Sequence, residues 1–247
     1  GEFVNGLREG EGVLYDDAGN VKMKGVFRRG KMNGVCMIVN QRTSSTYTGN
    51  VVDDVPNGKG EEKYKDGSYY VGEFKSGMRH GKGCYYNSAD EIVYNGSWLY
   101  GLKHGLGDCH DEYGLYSGSF VRGKKEGQGV YTLYSGDQYK GEFADDLYSG
   151  RGVFTNVSGR VVYDGEWRNG QRHGEGKVFF GNGEYYQGEL VHDMMCGKGI
   201  CFYENGMPKY VGSFRNDLRN GEGVEYSING EVLEEGYYVN NELIVSM

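Results

Sequence analysis

Residues Gly77-Met78-Arg79-His80-Gly81-Lys82 put two glycines and a lysine close to the order that a phosphate-cradling loop requires. Such a loop wraps the anion in backbone N–H groups, adds a lysine countercharge, and opens a helix after a Ser or Thr. Here the spacing is one residue short, Gly83 follows the lysine, and the flanking residues read as strands. Phosphate-loop chemistry is therefore excluded. A Cys-His nucleophile pair at Cys109 and His110 fails because adjacent strand residues face opposite sides and no acid is fixed to orient the base. His192, Cys196 and Cys201 have poor spacing for a closed four-ligand metal site, which only a second chain could complete. His80, His104 and His173 recur just ahead of a Gly-x-Gly, so they belong to a pattern and not to a catalytic centre. The expectation is a chain that is not an enzyme, with no catalytic residue, no metal and no cofactor.

The pattern is a repeat. Taking as origin a glycine two residues after Tyr and two before an aromatic, as in Tyr163-Asp164-Gly165-Glu166-Trp167, origins fall at Gly1, Gly25, Gly49, Gly72, Gly96, Gly118, Gly141, Gly165, Gly188, Gly212 and Gly236. These define ten complete repeats, numbered here one to ten, and a partial capping repeat over 236–247. Within the ten complete repeats glycine returns nine residues after every origin, and usually at plus eleven and plus eighteen; plus five is Gly or Asp. Only Gly181 falls outside these positions, so the glycine content belongs to the repeat.

Each repeat reads as a hairpin. The alternation Tyr-x-Gly-x-Trp/Phe places both aromatics and the glycine on one face of a strand. Plus five supplies a tight turn, because positive φ costs Gly nothing and Asp little. The second strand is expected to start around the Gly-x-Gly at plus nine and eleven, and a turn near plus eighteen leads onward, often through Asn-Gly or Asp-Gly. No segment carries a sustained 3.6-residue apolar period. Glycine weakens a strand, so paired glycines need a steric reason. The expected one is that tyrosine and Trp/Phe rings lie flat over the bare backbone of the neighbouring strand, with Phe74, Trp98, Phe143 and Trp167 in an aromatic spine.

The pattern Tyr-x-Gly-x-Trp/Phe-x-x-Gly-x-x-x-Gly-x-Gly resembles the MORN (membrane occupation and recognition nexus) repeat, which Tyr163–Gly176 matches without a gap. The resemblance covers essentially the whole chain. It implies an all-β fold, an elongated, solenoid-like twisted antiparallel sheet of consecutive hairpins; ten repeats would extend about 100 Å. It also implies association with cytoskeletal or membrane-associated complexes, as in the repeat-only scaffolds of protozoan parasites, and some family members carry a methyltransferase or lipid kinase domain. Repeat two departs from the pattern with Met23, Cys36 and the polar stretch Asn40–Thr46, where a bend or mobile loop is expected. Repeat three departs with Val51 and Pro56. Because no Tyr precedes Gly1, earlier repeats of a longer protein are expected before it.

Composition narrows the partners. A net charge of −8 opposes nucleic acid at long range. Five Cys without CxxC spacing fit a reducing, cytoplasmic setting. The longest apolar run, Val35–Val39, is far shorter than the roughly 20 residues a membrane-spanning helix needs. A basic cluster, Lys22, Lys24, Arg28, Arg29 and Lys31, is the weak candidate for acidic lipid or peripheral membrane contact. Offsets plus twelve and fourteen face away from the glycines and turn apolar late in the chain: Phe179, then Ile200 and Phe202, then Val224 and Tyr226. Together with Tyr238 and Ile244 of the terminal hairpin, these are the candidate contacts for a partner or a homodimer. The expected function is a self-associating, non-enzymatic scaffold for cytoskeletal or other proteins; the alternatives are a phosphoinositide adaptor and the targeting region of a larger enzyme.

Overall fold

A strand pair needs a turn whose twist matches its own, and two consecutive residues at positive φ provide it. This chain places them at plus four and plus five of each repeat: Ser76 and Gly77 (φ 51° and 80°), Tyr100 and Gly101 (49° and 85°), Asp145 and Asp146 (50° and 71°), Asn216 and Asp217 (50° and 68°). The computed structural model, which describes residues 1–246, is all-β, with strands and turns and no helix among those residues. Two compact units divide it, residues 1–124 and 125–247.

In the first unit each strand pairs antiparallel with its neighbours in sequence, from Glu2–Val4 to Gly114–Val121. In the second unit the same meander runs from Lys124–Leu133 to Glu242–Ser246. Repeat four shows the standard hairpin: Tyr69–Lys75, the two-residue turn, then Met78–Tyr86. The second strand thus begins at plus six, three residues earlier than the Gly-x-Gly suggests. The plus-nine glycine lies in a bulge: Gly72 pairs with Gly83 but Glu73 with His80, leaving both Gly81 (φ 58°) and Lys82 without a partner on Tyr69–Lys75. Sequence alternation assigns Gly81 and Gly83 to one role, and the structure separates them.

The plus-eleven glycine does what its spacing suggests. Gly60, Gly72 and Gly83 pair in a row, and a Cβ at Gly72 or Gly83 would overlap the Tyr70 ring. The ring lies over bare backbone and its hydroxyl donates to the Glu73 carbonyl at 3.0 Å. Tyr47, Tyr94, Tyr116, Tyr139, Tyr163, Tyr186 and Tyr210 each donate to the carbonyl three residues on. The rings of Tyr70, Tyr94, Tyr139 and Tyr210 are gripped edge-on from two sides. Tyr94 meets Trp98 of its own repeat and Phe120 of the next at 5.1 and 5.2 Å; Tyr139 meets Phe143 and Trp167 at 5.2 and 5.3 Å. Such edge-to-face pairs add about 0.5–1.5 kcal/mol each beyond the area they bury.

One sheet layer does not by itself bury a tyrosine, yet these rings are at most 5% exposed. The missing cover comes from plus seven, a position the sequence reading passed over. Arg79 lies over Tyr70 and Trp98, Lys103 over Tyr94, Arg172 over Tyr163 and Arg219 over Tyr210, with the charged heads 4.7–5.8 Å from the ring centroids. Plus thirteen receives the head groups: Arg219 forks onto Glu225 at 2.8 and 3.2 Å, and Lys103 Nζ donates to Cys109 Sγ at 2.9 Å.

Repeat two is different. Cys36 replaces the plus-eleven glycine, and its second strand splits into Lys31–Met32 and Gly34–Asn40, interrupted at Asn33. The polar stretch forms a loop between strands ending at Asn40 and beginning at Ser45.

Candidate binding face

Because the inner face of the hairpins is sealed, in most repeats by a tyrosine and the plus-seven side chain over it, discrimination falls to the other, called here the outer face. Cross-strand register sets its rows. In the second unit Gln187 opposes Ile200, Ile200 opposes Val211, Val211 opposes Val224, and Val224 opposes Glu235. Ile200, Val211 and Val224 are thus consecutive members of one row above the glycines. They line a shallow hollow of about 560 Å³ whose rim carries Glu175, Glu222 and Glu235, with Lys198 also lining it. One position along, Phe179, Tyr185 and Phe202 stand in line: Tyr185 stacks on Phe202 at 4.5 Å and 13°, and Phe179 lies 5.8 Å from Tyr185.

Among the residues singled out from the sequence, Phe179, Ile200, Phe202, Val224 and Tyr226 sit on this outer face and are partly exposed. Val211 and Tyr185 complete the rows. Both lie on first strands of repeats, where the offsets used to search the sequence do not look, and the pairing of minus one with plus twelve would have found Val211. Ile244 is 57% exposed on the terminal strand Glu242–Ser246 and lies outside the hollow. Tyr238 must be corrected. At plus two it occupies the inner face, is 1% exposed, and meets Tyr210 edge-on at 5.3 Å, so it closes the aromatic row and is unavailable to a partner. Its alternation with exposed Tyr237 is what hides it.

The first unit has a counterpart that the sequence reading did not identify. Val13, Val26, Val35 and Met37 line an outer-face hollow of about 510 Å³, with Glu11 and Lys24 at its sides, and Val35 is 70% exposed. Three of the five candidate lipid-binding cations share this face, since Lys22, Lys24 and Arg28 alternate along the strand Val21–Arg28. The other two belong to the hairpin end. Arg29 is a turn residue whose backbone N–H donates to Glu9, and Lys31 pairs with Asp53 at 3.7 Å.

Gly77–Lys82 is a turn running into a strand. Among the described residues no group of three or more His, Cys, Asp and Glu could hold a metal ion. Cys109 is buried while its neighbour His110 is exposed, and burial pushes the Cys201 thiol up to about 11, away from nucleophilic or ligating use at neutral pH. His173 and His192 approach with ring centroids 5.8 Å apart, and His192 Nδ1 engages Gln171. No helix among the described residues is long and apolar enough to cross a membrane.

Comparison with known proteins agrees with the repeat geometry. Mouse Alsin is 30% identical over 143 residues, a match covering 44% of this chain and 9% of Alsin. MORN repeat-containing protein 3 of Xenopus laevis is 32% identical over 81 residues, covering 30% of this chain and 34% of that protein. Human ALS2 C-terminal-like protein is 38% identical over 101 residues, covering 38% and 10%. The chain thus spans about a tenth of the Alsin-type relatives it matches and a third of the MORN protein. A solved chain, BamB from Moraxella catarrhalis, aligns at 8% identity over 84% of this chain and 86% of its own with a TM-score of 0.19, too low to bear on the fold. The MORN repeat model matches residues 1–21, 47–69, 70–88, 94–112, 116–138, 139–159, 163–185, 186–207 and 210–232, passing over the residues of repeat two that carry Met23 and Cys36. The chain belongs to the MORN repeat family.

Proposed function

We propose that this chain is a non-enzymatic scaffold that binds protein through its outer face and self-associates, in a cytoskeletal or membrane-associated complex. The observation that carries the reading is the row Ile200–Val211–Val224 beside Phe179, Tyr185 and Phe202: aliphatic and aromatic side chains on the open face of a sheet whose other face is sealed. Apolar surface of this kind has no folding role in a single layer and marks contact sites. The similarity to Alsin and to a MORN repeat-containing protein supports an interaction or targeting role, which would make this chain one module of a larger assembly.

Sedimentation velocity on wild type and Phe202→Asp tests the reading. Wild type should associate and the variant should be at least about tenfold weaker, as expected when a charge enters a desolvated contact. A wild type that stays monomeric at all concentrations overturns self-association, and an unchanged variant removes the aromatic row from the contact.

The lipid reading has one observation in its favour, the shared face of Lys22, Lys24 and Arg28. Three cations at about 1 kcal/mol each at an anionic surface give weak, salt-sensitive attachment, opposed by the net charge of −8. Pelleting with phosphoinositide-containing vesicles across a salt series separates the readings. Retention at physiological salt, lost on Lys24→Glu, would favour lipid.

A further inference from the structure

The two outer-face hollows differ in the sign of the charge in excess around them. In the first unit Lys24 and Glu11 line an apolar floor that includes Val26 and the 70%-exposed Val35, and Lys22 and Arg28 add two more cations along the strand that carries Lys24. In the second unit, Glu175, Glu222 and Glu235 surround Ile200, Val211 and Val224. Neither the three cations nor these three glutamates form an ion pair among the described residues. An ordinary solvated strand face balances its signs and pairs many of its charges, whereas here cations outnumber Glu11 three to one beside the first apolar floor and glutamates outnumber Lys198 three to one around the second.

We propose that the basic hollow of one copy docks onto the acidic hollow of a second copy, so that self-association is heterologous, first unit to second unit. The proposal rests on reading the outer face as an interaction surface and adds which patches meet. Like-to-like contact of the acidic hollows would bring Glu175, Glu222 and Glu235 of two copies together, and like charges across a contact cost several kcal/mol. The complement that each hollow lacks is carried by the same chain. A heterologous contact closes into a ring when its rotation permits and otherwise extends as a filament, and either product suits a scaffold.

Paired charge reversal tests this, with sedimentation velocity as the readout and the thermal melt followed by circular dichroism as the control for folding. All four altered residues are exposed. Lys24→Glu with Arg28→Glu, and separately Glu222→Lys with Glu235→Lys, should each weaken self-association at least about tenfold. An equimolar mixture of the two double variants should associate again, because each then offers the sign that the other lacks. Raising salt to about 1 M, where the Debye length is about 3 Å, should weaken wild type. If Lys24→Glu/Arg28→Glu associates as tightly as wild type, or if the mixture stays monomeric, this pairing is overturned. Should Phe202→Asp abolish association while the charge variants do not, the pairing fails and the scaffold reading stands. Monomeric wild type at low salt overturns both.

Discussion

Repeat eight and repeat two solve the same problem with different residues. In repeat eight Tyr163 lies over Gly165 and Gly176, donates to the Glu166 carbonyl at 2.7 Å, and meets Trp167 at 5.1 Å and 83°. In repeat two Met23 replaces the tyrosine and Cys36 replaces the plus-eleven glycine. The Cys36 thiol then takes the space the ring would fill: a Cβ at Gly25 would meet its Sγ at 2.6 Å. Met32, fully buried, sits at plus seven, where six of the other repeats use Arg or Lys, and the second strand breaks at Asn33. Tyrosine and bare backbone are therefore one device whose parts change together, while the residue at plus seven varies, Pro56, Tyr148 and Met195 occupying it in repeats that retain the tyrosine and its glycines. Losing the ring is what makes a side chain at plus eleven tolerable.

The largest expected effect is alkaline. Burial pushes the phenols of Tyr47, Tyr94, Tyr163 and Tyr210 up to about 12, above the ordinary tyrosine value of about 10, and raises Tyr70, Tyr139 and Tyr186 as well. The unfolded chain releases these protons near 10 while the folded chain keeps them. Stability is thus fully present below about pH 10 and falls as pH rises toward 12. Each tyrosine contributes at most about 1.4 kcal/mol per pH unit of that fall. Chemical melts at stepped pH should show the loss, with tyrosinate absorbance appearing only as the chain unfolds. Phenols that ionise near 10 in the folded protein would break the account.

Next in size is a transplant of repeat two into repeat eight. Gly176→Cys alone should cost about 1–3 kcal/mol, because its side chain overlaps the Tyr163 ring. Tyr163→Met alone should cost about 2–4 kcal/mol, since it removes a gripped ring and leaves a gap over glycine. If the device is a unit, the double variant should cost less than the sum, with a favourable coupling of about 0.5–3 kcal/mol. Additive costs in urea melts would show that Met23 and Cys36 became paired for another reason. The double variant also has one raised tyrosine fewer, so its alkaline loss should be shallower than wild type.

The sequence makes most of this device legible and the rest illegible for a local reason. Tyr-x-Gly-x-Trp/Phe and the plus-eleven glycine announce a ring over backbone, because period two alone puts them on one face. The covering role of Arg79 or Arg219 stays hidden although plus seven shares parity with the plus-eleven glycine, because a long cation on a strand reads as solvent-facing until its position over the tyrosine ring is seen. The outer face was half legible for a related reason. Ile200 and Val224 share an offset, but Val211 reaches them only across strands. Tyr238 was misassigned because a terminal tyrosine beside exposed Tyr237 looks like surface until its edge-on contact with Tyr210 is seen.

The smallest effect concerns how repeats hold one another. Where plus five is glycine, the turn gives its neighbour one bond, as from the Gly101 N–H to the Arg79 carbonyl at 2.9 Å. Where plus five is aspartate, a second bond returns. The Asp217 N–H donates to the Met195 carbonyl at 3.1 Å and its Oδ1 accepts from the Met195 N–H at 2.7 Å. Asp54 brackets Met32 in the same way, which ties the plus-seven position of irregular repeat two to the next turn. The carboxylate also compensates for holding a side chain at φ 68–71°, a region that favours glycine. Asp217→Gly keeps the turn and deletes only the returning bond, so it should cost about 1 kcal/mol. Asn241 brackets Arg219 through an amide oxygen at 2.8 Å, so Asp217→Asn should stay within about 0.5 kcal/mol of wild type. Asp54→Gly should cost more than Asp217→Gly, because Met32 has no tyrosine beneath it in its own repeat to hold the strand. Equal costs in paired melts would mean that the aspartates only shape turns and that repeat two is secured by the packing of Cys36 and Met32 alone.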